Sequence, residues 1–277
     1  MRKMIALCPT FRHPDLLAAS LEMFLMQDYE NKYMIILDDG GTFQHGQSGD
    51  GWELNAIPEV FPMIGDEETE EARKAADDYK MGGRFPFISH KYNWMVERAE
   101  TKLLDDPDIG FCVWEDDDIY APRYISSHAA VLEEHDYSKP DQVWSDYNLS
   151  VTGELQPEGA IRRFHSSMAF TLGLIKEVNG WPEDNMRADF DQQLMVKLEK
   201  GRGNPPPSPW NGLDDCQFIY HWHTGSAHCQ STMRDPGDET WYQRGEDAYK
   251  KVDFVGKLVP RLDMKSKMLL NLMGVQV

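Results

Sequence analysis

The chain is 277 residues long, 41% hydrophobic and 27% charged, with a formal net charge of -19. A chain of this length can bury a sizeable core as one large domain or two small ones. The charge excludes broad non-specific binding to nucleic acid or to an anionic membrane surface, though not a local basic patch. No stretch approaches the roughly 18 apolar residues that span a bilayer, so no transmembrane segment is expected. No secretory leader is expected either, because Met4–Cys8 is too short for one and runs into a turn. The cysteines Cys8, Cys112, Cys216 and Cys229 form no CxxC pair. Cys8 and Cys112 lie in apolar runs, which predicts buried free thiols and a reducing, cytoplasmic setting.

In chain order, Ile5 to Cys8 is expected as a buried strand ended by Pro9 and Thr10. A helix follows from about Pro14, with Leu17, Leu21, Phe24 and Leu25 on one face. Pro14 suits its first turn, where no backbone N–H is needed. Tyr33–Leu37 is a second apolar strand, stopped by Asp38, Asp39, Gly40 and Gly41. Strand, helix and strand in this order make the βαβ unit of a parallel sheet. Residues 42–65 read as an insertion and 66–80 as a charged, exposed helix. A packed helix from His90 to about Leu104, with Tyr92, Met95, Val96 and Ala99 apolar, leads into a strand over Ile109–Trp114.

A short amphipathic helix follows Pro122, and Val143–Ser145 is a short strand. Leu172–Val178 is a helical turn, and Asp189–Lys200 a helix with Leu194, Met195 and Leu198 inward. Pro205–Pro207 is a stiff connector, and Phe218–His223 a strand that ends in histidines. The segment 250–277 sets Lys250, Lys251, Lys257, Arg261, Lys265 and Lys267 against Asp253 and Asp263, beside an apolar run at Met268–Met273. It is expected to pack as a helical extension, with a homo-oligomer contact or a lid over an anionic donor as alternatives.

The most informative feature is the run Glu115, Asp116, Asp117, Asp118, which begins where the apolar strand ends. Charges leave water only at high cost, so a strand interior excludes such a run. A solvated loop is the plain account. The carboxyl ends of strands are, however, where open α/β sheets hold ligands, and crowded carboxylates are relieved by a divalent cation. Oxygen donors on a short loop suit Mg2+ or Mn2+, ions that bridge carboxylates to substrate phosphates. The run therefore predicts a metal–diphosphate site.

Several segments together carry a resemblance. Ile5 through Pro14, including Pro9, Thr10, Phe11, Arg12 and His13, resembles the opening strand and turn of family 2 glycosyltransferases with the GT-A fold. Ile35–Thr42 is similar to the second strand with its D-D-G-S ending, and Glu115–Tyr120 to the D-x-D region. His90–Ala99 is similar to the preceding helix, with Asn93 and Ala99 at the family's spacing. Ala169–Trp181 resembles the acceptor-side segment, and Ala188-Asp189 stands where the family often has E-D. The resemblance covers roughly residues 3 to 200.

It implies a Rossmann-like, mostly parallel central sheet flanked by helices; a catalytic domain is expected over 1–235, followed by a C-terminal helical extension over 236–277. It implies that Asp39, supported by Asp38, accepts the imide N–H of the base, usually uracil; a strand-end turn is the plain account. Pro9, Thr10, Phe11 and Arg12 line the nucleoside pocket. Aligned on Ile119-Tyr120, the triplet is Glu115-Asp116-Asp117: Asp117 the metal ligand, Asp116 or Glu115 on ribose or metal-bound water. Asp189 is the implied general base, with Asp191 the second choice and helix capping the plain account.

Among His221, His223 and His228, His223 is the expected further metal ligand, against a structural role. The three have no partner Cys or carboxylate at zinc spacing. Arg84 and Lys91 are candidates for donor phosphate, against simple surface charge. Trp181 and Trp210 are candidates to stack on a sugar, against core packing. The expected activity is a Mn2+- or Mg2+-dependent transfer of a sugar from a nucleotide diphosphate donor, UDP-linked, to an acceptor hydroxyl, with inversion favoured by the availability of Asp189 and a retaining course left open. The acceptor is open among a glycan, a lipid-linked sugar, a protein and a modified base. A nucleotidyltransferase on a similar fold would want a Gly-rich basic loop that Pro9–Pro14 does not supply. A silent sugar- or nucleotide-binding protein is the rival from outside enzymes.

Overall fold

The structure, a computed structural model, describes residues 1–10, 14–38, 60–62, 88–102, 108–146, 155–182, 190–200, 202 and 206–221. The expected helix over 66–80 and the extension over 236–277 lie outside them. Apolar runs with no polar break become strands covered on both faces. They are β1 (Lys3–Thr10), β2 (Lys32–Asp38) and β4 (Ile109–Val113). β1 is the centre, parallel to β2 on one side and to β4 on the other, and β3 (Val60–Pro62) is added parallel to β2. Antiparallel β9 (Ala169–Thr171) and β6 (Tyr137–Ser138) extend the sheet, giving the order β3-β2-β1-β4-β9-β6.

Alternation along the strands divides the core in two. Met4, Ala6, Cys8, Met34, Ile36 and Cys112 face α1 (Pro14–Leu25) and α3 (Tyr124–Leu132). Ile5, Leu7, Ile35, Leu37, Phe111 and Val113 face α2 (Ile88–Lys102), α4 (Leu172–Glu177) and α5 (Phe190–Glu199). On α1, Leu17, Leu21 and Phe24 are buried as the helical period predicts, but Leu25 is 38% exposed. Leu25 is the last residue of the helix. On α2, Tyr92, Met95, Val96 and Ala99 are all buried. Gly110 lets α3 approach β4, since a Cβ there would meet Met4 Sδ at 2.6 Å and Leu132 Cδ1 at 3.0 Å. Cys8 and Cys112 are buried free thiols. No helix among the described residues is long and apolar enough to cross a membrane.

A second, four-stranded sheet, not anticipated from the sequence, has the order β5-β10-β7-β8. It joins β5 (Ile119–Tyr120), β10 (Phe218–Tyr220), β7 (Gln142–Ser145) and β8 (Gln156–Gly159). β10 stops at Tyr220, shorter than the expected run to His223. Its antiparallel pairing with β5 brings residue 221 to the end of the acidic run.

Between α3 and β6, His128 is buried, with Nδ1 2.8 Å from Ser138 Oγ and the ring edge-on to Tyr124 and Trp210. Burial, then the nearby Lys139 charge, lowers its pKa to about 3. The unfolded chain takes up a proton near pH 6.5 that the folded chain refuses down to about pH 3. Stability is therefore lost as pH falls through that window. His128→Asn keeps a polar partner for Ser138 and removes the titration. Urea melts of both proteins are expected to show wild type losing about 1.4 kcal/mol per pH unit relative to the variant between pH 6 and 4. Parallel curves would refute the assignment.

Candidate active site

The acidic run is presented by two clamps. Trp114, just past β4, stacks on Tyr120 at 3.8 Å, and its Nε1 donates to Ser20 Oγ at 2.7 Å. The Tyr120 hydroxyl accepts the backbone N–H of Glu115 at 2.7 Å. Within the run burial alternates: Asp116 and Asp118 are buried, Glu115 and Asp117 half-buried. Asp116 Oδ2 accepts from Thr10 Oγ1 at 2.5 Å, and the Thr10 carbonyl accepts from Lys91 Nζ at 3.1 Å. Asp118 accepts from Ser166 Oγ through Oδ2 and from the backbone N–H of His221 through Oδ1 at 2.9 Å. Glu115 Oε1 is reached by the Tyr92 hydroxyl and by His165 Nδ1, each at 3.4 Å.

Glu115, Asp117 and Asp118 can each turn one oxygen into a group whose members lie within 4.8 Å of one another. Burial first, and then the charge of Asp117, raises both buried carboxyls, Asp116 to about 8, while the Thr10 hydroxyl works against the shift on Asp116. Such crowding is the condition that a divalent cation relieves. The donors are all carboxylate oxygens, so they fit a hard ion such as Mn2+ or Mg2+. The hydrogen bonds on Asp118 leave lone pairs for coordination, because a carboxylate offers about four acceptor sites.

Glu115 and Asp117 thus lie in the group, while Asp116 turns to Thr10 and Asp118 joins instead. Pro9 and Thr10 end β1 and Asp38 ends β2, with Thr10 and Asp38 in register. These ends lie beside the acidic run at the carboxyl edge of the parallel strands. Lys91 is buried rather than a surface charge, and it braces the end of β1. Trp181, expected on the acceptor side, has its ring in the core: it is 1% exposed and stacks on Tyr92 at 4.8 Å, so its faces are covered. Trp210 is also buried. Asp191 sits in the first turn of α5, where Oδ1 accepts from the N–H of Gln192 at 2.7 Å. Phe11, Arg12, Asp39, Arg84, Asp189, His223 and His228 lie outside the described residues.

Sequence reasoning did not single out Asp146, His165, Ser166 or Lys139. His221 Nδ1 lies 2.5 Å from Asp146 Oδ2. Burial alone would lower the His221 pKa, but Asp146 holds it above the usual value. The loop that carries His165 and Ser166 contains two residues in the left-handed region. Arg162 and Phe164 have φ of 56° and 51°, where bulky side chains clash with their backbone. Each such residue costs about 1–3 kcal/mol and persists only where its surroundings hold it. Here Lys139, fully buried, donates to the Phe164 carbonyl at 2.7 Å and to Ser167 Oγ at 2.5 Å.

No protein-family model and no curated protein sequence matches the chain. Solved structures do. Residues 1–349 of S. aureus TarS in complex with UDP-GlcNAc align over 98% of this chain and 71% of that one, at 14% identity and a TM-score of 0.52. A further structure of TarS 1–349 aligns over 98% of this chain and 80% of that one, at 12% identity and a TM-score of 0.50. The mannosyltransferase PcManGT of Pyrobaculum calidifontis, in complex with GDP-Man and Mn2+, aligns over 98% and 79% at 11% identity, but its TM-score of 0.46 is too low to bear on this chain. With the parallel β1, β2 and β4 and their helical layers, the likeness to TarS establishes the architecture: the chain has a GT-A-like glycosyltransferase fold.

Proposed function

We propose that the chain is a cation-dependent glycosyltransferase that moves a sugar from a UDP-linked donor to an acceptor hydroxyl, with inversion at the anomeric carbon. The observation that carries this reading is the convergence of Glu115, Asp117 and Asp118 beside the ends of β1 and β2. It occurs on a fold shared with a protein solved in complex with UDP-GlcNAc. Ligands of open α/β sheets lie beyond the carboxyl ends of the strands, which is where this edge is.

In this reading Pro9, Thr10, Phe11 and Arg12 line the nucleoside, and Asp39 backed by Asp38 reads the base. Asp116, held by Thr10, faces the ribose side, and Lys91 lends positive charge while bracing Thr10. A bound Mn2+ or Mg2+ supplies neutralisation of the diphosphate leaving group. Asp189 takes the proton of the acceptor hydroxyl as that oxygen bonds to the anomeric carbon and the bond to the diphosphate breaks. Asp191 and the segment around Trp181 border the acceptor side, and His223 is a further candidate ligand. Any oligomer contact would involve the extension over 236–277.

The test is incubation with UDP- and GDP-sugars, with and without Mn2+. Binding and release of nucleotide with Mn2+ are expected for a UDP-sugar; neither, under any combination, would overturn the reading. Asp189→Asn is expected to lower turnover about 10^2- to 10^4-fold while donor affinity stays within a few-fold. Equal loss of both would remove Asp189 from the chemistry.

A further inference from the structure

Two of the three clustered carboxylates are held by one short 3-10 turn, His165–Ser167, which meets Glu115 through His165 and Asp118 through Ser166. His165 is buried and touches two groups. The Trp181 indole lies 2.8 Å from its Nε2. An indole N–H can only donate, so Nε2 must be an acceptor without a proton. The neutral ring then carries its one proton on Nδ1, and Nδ1 is the nitrogen that faces Glu115.

Trp181 is itself fixed. Its backbone N–H donates to Asn93 Oδ1 at 2.8 Å, and its carbonyl accepts from Asn93 Nδ2 at 2.9 Å. The preceding Gly180 has φ of 64°, and a Cβ there would meet Asn93 Oδ1 at 2.4 Å, so only glycine lets this grip form. Tyr92 stacks on the ring at 4.8 Å, and its hydroxyl reaches the same Glu115 oxygen as His165 does.

We propose that Trp181 and His165 are positioning residues for the cation site: the indole selects the Nδ1–H tautomer of His165, and that N–H, with the Tyr92 hydroxyl, sets the plane of the Glu115 carboxylate. The inference rests on Glu115 being a cation ligand, as in the proposed function, and adds what orients it. Partners one step behind a ligand commonly change metal affinity by 10–100-fold when they are lost. The arrangement also gives the strained loop at Arg162–Phe164 a purpose, since relaxing it would withdraw His165 and Ser166 together.

The test uses the full chain and Mn2+ alone as the probe. Long-range 1H–15N correlation of the histidine rings is expected to show His165 as the Nδ1–H tautomer, assigned by the signal that His165→Asn removes. Mn2+ affinity, read from the free-ion EPR signal, is expected to fall about 10–100-fold in His165→Gln, whose amide stands at the Nε2 position and cannot reach Glu115. His165→Asn puts an N–H donor at the Nδ1 position and is expected to recover most of the affinity. Trp181→Phe keeps the ring and removes the donor, so the other His165 tautomer is expected to appear and Mn2+ binding to weaken.

An Nε2–H tautomer in wild type would overturn the inference. So would a folded His165→Gln or Trp181→Phe that binds Mn2+ as wild type does. Should His165→Gln not fold, the tautomer and Trp181→Phe decide alone. No Mn2+ binding by wild type would overturn this inference and the cation site together. Mn2+ binding with the expected tautomer but no reaction with any nucleotide sugar would overturn only the transfer reading.

Discussion

Asp117→Asn is expected to lower Mn2+-dependent turnover of the donor about 10^3-fold and to abolish stabilisation by Mn2+. Asp117 is half-buried, shares the 4.8 Å group with Glu115 and Asp118, and is the leading charged neighbour acting on both buried carboxyls of the run. Removing it takes one of three ligands from the cation. A lost contribution of several kcal/mol to leaving-group stabilisation corresponds to roughly a thousandfold in rate. The same substitution removes like-charge repulsion, so the metal-free variant is expected to melt no lower than wild type, and above it where the repulsion is largest. A ligand that binds only the folded state raises stability by RT ln(1 + [L]/Kd). Melting wild type and variant with and without Mn2+ therefore separates the effects. A variant still stabilised by Mn2+ as wild type is would place the ion elsewhere. One that loses activity together with metal-free stability would mark Asp117 as structural.

The parts of this molecule legible in the sequence are those whose signal is local. β1, β2 and β4 announce themselves as continuous apolar runs, and α1 and α2 by their period, because burial on both faces or on one stripe leaves no other pattern. β5, β6, β8 and β9 have two to four residues each, too few for a period, and they form only by pairing: β5 with the distant β10, β6 with β9, and β8 with the preceding β7. Of the second sheet only the segments of β7 and β10 are expected as strands from the sequence, and their joining into a sheet has no local signal. At the site, the acidic run was evident, but its division was not. Asp116 turns to Thr10, 106 residues away, and Asp118 to Ser166 and His221, 48 and 103 residues away. The run turns at Asp116 and Asp117 instead of continuing β4, so the strand's period does not decide which carboxylates are buried. His165, Asp146 and Lys139 have no local signal either, since each is a lone residue that gains its role only when distant segments meet.

Lys139→Ala is expected to destabilise the fold by about 2–5 kcal/mol. It takes the Lys139 donor from the Phe164 carbonyl, which keeps the Ser167 N–H and hydroxyl, and from Ser167 Oγ, and it leaves a void the length of the side chain, just where the loop at Arg162–Phe164 holds its unfavourable conformation. Lys139→Met fills the void without the donors, so it isolates their contribution. The pH dependence distinguishes a neutral amine from a charged one. Burial lowers the Lys139 pKa to about 7, against the pull of Asp191, Glu199 and Asp118. Between pH 7 and about 10.4 the unfolded chain binds a proton that the folded chain has released, so this contribution to stability rises with pH. Buried Cys8 and Cys112, whose thiols are raised by burial, act the other way once unfolded thiols ionise near pH 8.5. The clean window is therefore pH 7 to 8.5. Across it the stability of wild type over Lys139→Met, from urea melts, is expected to widen by about 2 kcal/mol. A constant gap would mean that the amine stays protonated in the folded protein. The loop behind the carboxylates would then be held by a buried cation, and Lys139→Met would have to disturb the charge balance of the acidic run as well as its geometry.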